Sequence, residues 1–235
     1  MTAALIEARA LGKSFGSTPV LRDVNLSVEA GGGAAVIGAN GAGKSTLIQL
    51  LAGLCAPGTG AAMLFGEPAR SLGPALRRRV GLLSHQSFLY PNLTARENLE
   101  FYATLYGVNG PRSAAIEWLE RVALGAAADA RVRGFSRGME QRLAIARAML
   151  ARPDVLMLDE PFASLDADGA AIAAALTREA MGRGCAVLAS AHSANALGEL
   201  GFAVLMLSRG RLVRAEASGI RESAAAPPPL VRQVS

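Results

Sequence analysis

Residues 38–46, Gly38-Ala39-Asn40-Gly41-Ala42-Gly43-Lys44-Ser45-Thr46, restrict this chain more than any other stretch. A short apolar strand, Ala34-Ala35-Val36-Ile37, runs directly into them, and a helical segment from Lys44 to about Leu54 follows. Glycines in such a turn let successive backbone N–H groups curl into a concave anion site. The N-terminus of the next helix adds its dipole. This is the pattern of a phosphate-binding loop in the strand–loop–helix setting that motif requires. It sets Lys44 against the β- and γ-phosphates of a nucleotide and the Ser45 hydroxyl on Mg²⁺. Gly38, Asn40, Gly41, Gly43 and Thr46 complete the cradle. A glycine turn can be purely structural, but the match of loop, lysine, hydroxyl and flanking elements argues against that here.

A second pattern supplies the acids. Val155-Leu156-Met157-Leu158-Asp159-Glu160 is an apolar strand that ends in two carboxylates. The first, Asp159, suits a hydrated Mg²⁺, and the second, Glu160, can polarise an attacking water. Acidic residues end many strands, so this pattern gains its weight from the phosphate loop upstream. Together the two imply a phosphate-loop NTPase.

The rest of the chain reads as an α/β fold. Leu5 to Ala8, Ser17 to Pro19 and Val24 to Val28 suggest short antiparallel strands. A strand near Ala61 to Phe65 is expected to return to them. Val80 to Ser84 reads as a buried strand. Residues from about 92 to 152 turn helical: Thr94-Ala95-Arg96-Glu97 is a capping box, Gly107 a helix stop, Ile116, Leu119 and Val122 a helical stripe, and Met139 to Ala151 a further helix. Strands resume at Val155 to Leu158, Ala186 to Ser190 and Ala203 to Leu207. The expected ATPase domain spans 1–217, with a helical subdomain at about 92–152. The tail from Ser218, with Pro227, Pro228 and Pro229, is expected to be disordered.

Composition excludes little. Half the residues are hydrophobic, but much of that is Ala, and no run nears the roughly 18 apolar residues of a membrane span. Met1 to Ala10 lacks the form of a signal peptide, which places the expected protein in the cytosol. Cys55 and Cys185 have no metal-site or disulfide spacing and read as small buried hydrophobes. The net charge is +5. The one basic cluster, Arg77 to Arg79, is too short for nucleic acid and fits a solvated helix end.

A third motif narrows the class. Phe135-Ser136-Arg137-Gly138-Met139-Glu140-Gln141-Arg142 lies 159 − 136 = 23 residues before Asp159. It resembles the ABC signature, usually Leu-Ser-Gly-Gly-Gln, and the resemblance to ABC ATPases covers about residues 4 to 213. The resemblance implies a mixed sheet core with an antiparallel β lobe and a helical subdomain. It also implies MgATP, a head-to-tail dimer with a second ATPase subunit, and a separate integral membrane subunit at the cytoplasmic face. Ser136, Arg137 and Gly138 would then meet ATP held by the other subunit. Gln86 matches the Q-loop glutamine, which touches Mg²⁺ or the water. Asp166, in Ser164-Leu165-Asp166, matches the D-loop at the dimer interface. His192 matches the switch histidine at the γ-phosphate, and Phe15 the ring that stacks on adenine, with a core Phe as its rival. His85 has no such match and reads as structural or as a support behind the site's own residues. Arg137 and Met139 depart from the usual signature, and Gly32 stands where many members carry an acid.

Ser84 to Leu99 is similar to the corresponding stretch of the haem exporter ATPase of cytochrome c maturation, which makes haem export the first expectation for cargo. ABC-2-type drug, polysaccharide or lipid exporters are the alternative, and a soluble factor acting on ribosome or DNA is a third class. Those factors usually carry two nucleotide units or a long coiled-coil insert. Phe88, Leu89 and Tyr90 fall in an expected exposed connection and suggest a docking surface, unless two of them pack inward.

Overall fold

The computed structural model describes residues 4–193, 197 and 200–214. Strands β1 (Ala4–Phe15), β2 (Thr18–Glu29), β4 (Thr59–Leu64) and β5 (Glu67–Pro68) form an antiparallel sheet in the order β2-β1-β4-β5. Strands β3 (Gly33–Ile37), β6 (Val80–Leu83), β7 (Val155–Asp159), β8 (Ala186–Ala191), β9 (Ala203–Ser208) and β10 (Arg211–Arg214) form a second sheet in the order β10-β9-β3-β8-β7-β6. It is parallel from β9 to β6, and only β10 runs antiparallel, at its edge. Among the described residues, the α-helices with defined bounds are α1 (Lys44–Leu51), α2 (Pro74–Arg77), α3 (Ala95–Tyr106), α4 (Pro111–Arg121), α5 (Arg137–Met149) and α6 (Ala167–Gly182).

The parallel strands read as unbroken apolar runs because both faces of their sheet are covered. Val155 and Met157 of β7, with Ala186 and Leu188 of β8, pack against α1 and the antiparallel sheet. Leu156, Leu158, Val187 and Ala189 point the other way, into a core shared with α3 to α6. The pleat's period of two residues divides one run between two cores.

Where the short antiparallel strands were expected, the chain makes two strands of 12 residues each. Bulges between Ala4 and Ile6 and between Ala8 and Leu11 let the pairing continue through irregular alternation. α3 starts on the Thr94–Glu97 capping box and stops at Gly107, whose φ is 71°. In α4 the buried stripe is Ala115, Trp118 and Leu119, continued by Val122, while Ile116 stands in solvent. Spacings of three, four and seven residues from Ala115 share one face, and Ile116 lies a hundred degrees round from it. Arg77 ends α2 and Arg78 caps it.

Leu89 is buried in the helical core, while Phe88 and Tyr90 are exposed on either side of it. The expected three-residue docking surface is therefore reduced by its central member. Cys185 is buried, and that burial pushes its thiol up to about 12. The tail from Ser218 lies outside the described residues. Among the described residues no helix is long and apolar enough to cross a membrane.

Candidate nucleotide site

The C-terminal edge of the parallel sheet carries the site, where open α/β sheets generally place their ligands. β3 delivers Gly38 and the loop that ends at α1. Gly43 caps α1 with φ 105°, and a Cβ there would lie 3.0 Å from Val20. A side chain at Gly38 would meet the Leu207 carbonyl oxygen at 2.6 Å. Both positions need glycine for close packing or backbone angle. Lys44 is buried, and its Nζ donates to the carbonyl oxygens of Gly38 at 2.8 Å and Ala39 at 3.2 Å. The loop is thus braced by its own lysine.

This loop walls a cavity of about 680 Å³. Asn40, Gly41, Gly43, Lys44, Ser45 and Thr46 form one side. Phe15, exposed at the end of β1, stands at another, with Lys13 Nζ 5.2 Å above its ring. Asp159, Glu160 and His192 enter from the ends of β7 and β8.

The acids are held from behind. Ser190 Oγ donates to Asp159 Oδ1 at 2.6 Å and accepts from the Glu160 backbone N–H at 3.0 Å. Glu160 adopts φ 53°, which turns its carboxylate out of the strand line. Its Oε1 then lies 3.1 Å from His192 Nε2 and 3.8 Å from Lys44 Nζ. Residues far apart in sequence thus converge on one carboxylate oxygen.

Gln86 does not join this wall. Ser84 Oγ donates to the Gln86 carbonyl oxygen at 2.8 Å, and the resulting tight turn presents His85 to the cavity and leaves Gln86 exposed. His85, read as structural or as a support for the site, is the one in the wall. Ser136 caps α5 by accepting from Met139 N–H at 3.2 Å, and it stays exposed. Arg137 is exposed and borders a second cavity, about 340 Å³, with Glu140, Asp159 and Glu160. Gly138 approaches the Ser164 carbonyl so closely that a Cβ would sit at 3.0 Å. Asp166 caps α6 by accepting from Gly169 N–H at 2.8 Å.

The sequence motifs gave no role to Ser190, nor to Gln141, although Gln141 lies within the 135–142 stretch. Gln141 Nε2 donates to the carbonyl oxygens of Pro161 at 3.2 Å and Glu160 at 3.4 Å. A polar residue ending an otherwise apolar strand was the one available signal for Ser190.

A family model described as "ABC transporter" matches residues 21–163. This chain belongs to the ABC transporter family. Among curated ABC relatives it is similar to the Nod factor export ATP-binding protein I of Burkholderia lata, 37% identical over 82% of this chain and 64% of that protein. It is 33% identical to the ABC transporter ATP-binding protein NatA of Bacillus subtilis, over 82% of this chain and 80% of that one. To the molybdenum import ATP-binding protein ModC of Mycobacterium tuberculosis it is 38% identical, over 81% and 55%. The chain spans about three-fifths of the length of the Nod factor relatives it matches. Among solved ABC structures, a dimeric bacterial cassette, MJ0796, superposes with a TM-score of 0.81 at 27% identity, covering 89% of this chain and 97% of that one. A post-hydrolysis state of the same cassette, bound to ADP and Pi, also scores 0.81.

Proposed function

We propose that this chain is the ATP-hydrolysing subunit of an ABC exporter, working as a head-to-tail dimer beside a separate integral membrane chain at the cytoplasmic face of the membrane. One observation carries the reading: Lys44, Glu160 and His192 meet at the mouth of a phosphate-loop cavity. Phe15 offers a ring face for adenine at the far side of that cavity. The loop amides and Lys44 hold the phosphates, and the γ-phosphate draws Lys44 Nζ from its two carbonyl partners. Glu160 Oε1 accepts a proton from the attacking water, and His192 Nε2 holds that carboxylate in line. Water oxygen bonds to the γ-phosphorus, the bond to the bridging oxygen breaks, and ADP and phosphate leave.

The donor set fits Mg²⁺. A hydroxyl, Ser45, and one carboxylate, Asp159, line the cavity, and Mg²⁺ is ordinarily held by one or two carboxylates with substrate phosphates and waters. Gln86 would have to swing inward to join them. When bound, the ion neutralises charge building on the phosphates. Ser136, Arg137 and Gly138 serve the partner's nucleotide, where the Ser136 hydroxyl and the α5 dipole face an anion. Asp166 lies in the interface segment. No nucleic acid takes part in this reading.

Glu160→Gln tests the core of it. The variant is expected to bind ATP, lose turnover, and sediment as an ATP-dependent dimer, while wild-type protein without nucleotide runs as a monomer. Normal turnover in Glu160→Gln sinks the assignment. Cargo is a finer matter, because the membrane chain selects it. Haem is the cargo suggested by Ser84 to Leu99, but the relatives named above are described by Nod factor, molybdenum or no cargo at all. Haem-stimulated turnover in the reconstituted complex supports haem export, and stimulation only by a lipid or saccharide supports the ABC-2-type alternative.

A further inference from the structure

Glu160 is carried on backbone that an L-residue does not prefer. Its φ of 53° is left-handed, a conformation that crowds the Cβ of an L-residue and persists when the surroundings over-determine it. Three contacts do so. Ser190 Oγ accepts from the Glu160 N–H, and the Ala163 N–H donates to the Glu160 carbonyl at 3.0 Å. The third comes from another element: the Gln141 side-chain amide donates to the carbonyl oxygens of Glu160 and Pro161.

Gln141 stands on α5, little more than a turn beyond Ser136. That helix is firmly seated. Glu140 accepts from Ser87 Oγ at 2.7 Å. Arg142 donates to the Val122 and Ala123 carbonyls, each at 3.1 Å. Arg147, buried, donates to the Leu82 carbonyl at 2.5 Å and lies over the rings of Phe88 and Tyr102. An amide held on so fixed a support can define where the Glu160 backbone sits.

We propose that Gln141 is a positioning residue that sets the Glu160 carboxylate of its own chain for water attack. It rests on the role given above to Glu160. Gln141 is 19 residues from Glu160 in sequence, but the two carbonyls it holds follow directly on the Glu160 Cα, and so fix the backbone from which that carboxylate reaches His192 and Lys44. Without its two donated hydrogens the left-handed turn can relax. Misplacing a reacting group by about 1 Å costs about 10²-fold in rate.

Mixed dimers isolate this effect, purified through a different affinity tag on each full-length chain. One subunit carries Glu160→Gln, so turnover comes from the site with the other subunit's loop and Glu160. That site borrows Ser136 from the Glu160→Gln subunit. Gln141→Met in the subunit with intact Glu160 is expected to lower kcat by about 10- to 10²-fold with KM for ATP unchanged. The same substitution in the Glu160→Gln subunit is expected to leave kcat unchanged. Equal effects from the two placements, or loss only from the second, overturn the proposal, since either assigns Gln141 to the shape of α5 or to the partner's nucleotide. A dimer with Glu160→Gln in both subunits is the control. If it turns over normally, the role of Glu160 has failed. If it is dead while Gln141→Met is neutral beside an intact Glu160, this proposal alone has failed. Should Gln141→Met melt below the assay temperature, Gln141→Glu keeps the size, loses the donated hydrogens, and is read the same way.

Discussion

Lys44 is 6% exposed although it carries a charge, because Gly38 and Ala39 turn two carbonyl oxygens onto its ammonium and Glu160 lies near. A lysine that faced only its ligand would be dispensable for the fold. Its bracing role changes the expectation for Lys44→Ala. Turnover should fall by about 10²- to 10³-fold, as when other electrostatic contacts to a transition state are removed. Stability should also fall, by about 0.5–1.5 kcal/mol, because the part-buried carbonyl oxygens of Gly38 and Ala39 lose their donor. Turnover with saturating ATP and a thermal melt read the two effects separately. Lys44, Ser45, Asp159 and Glu160 were legible in the sequence because their motifs are local. Ser190 and Gln141 were not, because each meets its partner only through the fold: Ser190 hydrogen-bonds Asp159 across adjacent strands, and Gln141 reaches Glu160 from a helix. His85 and Gln86 show a further limit, since a tight turn decides which of two adjacent residues faces the cavity.

At the scale of elements, the connection after β6 and the outer face of α3 separate packing from docking. Leu89 belongs to the core, so a charge there tests folding and not attachment. Leu89→Ala is expected to cost about 2–5 kcal/mol, the range for truncating a buried leucine, visible as a lowered urea midpoint. Phe88, Tyr90, Phe101 and Leu105 remain exposed, and Tyr90 packs edge-on against Phe101 with ring centroids 5.1 Å apart. An exposed apolar group of this kind suits a protein partner, which in the proposed assembly is the membrane chain. Leu105 is 60% exposed. Leu105→Glu should therefore change stability by no more than about 0.5 kcal/mol and leave ATP turnover of the isolated subunit intact. It should release the subunit from membranes that contain its partner, as read by co-sedimentation. Helix boundaries were legible where caps are local, as at Thr94 and Gly107. The length of β1 and β2 was not, because bulges join segments that a strict alternation test breaks apart.

For the whole molecule, the proposed dimer gives Arg137 a role to test. A cation in the first turn of a helix opposes the dipole at a cost of about 0.3–1 kcal/mol, which an anion on a partner subunit would offset: ATP, or Asp166 or Asp168 across the proposed interface. Asp166 already caps α6, which leaves it free to accept a second bond. Arg137→Ala, made in the Glu160→Gln background, is expected to weaken ATP-driven dimerisation and flatten its dependence on salt, with monomer ATP binding intact. Equal affinity and equal salt dependence by sedimentation would show that Arg137 only faces solvent. The sheet order has a different consequence, for synthesis. β3, which launches the phosphate loop, lies between β8 and β9 and pairs Gly33 with Val187 and Ala34 with Ala203. At about 5–20 residues per second, the ribosome needs roughly 8–35 seconds to add the strands that flank it. During that interval an apolar strand waits without either neighbour, and the burden of keeping it from other nascent chains falls on chaperones. A polypeptide that stops before Ala186 carries the residues of the phosphate loop without the sheet that gives them their shape.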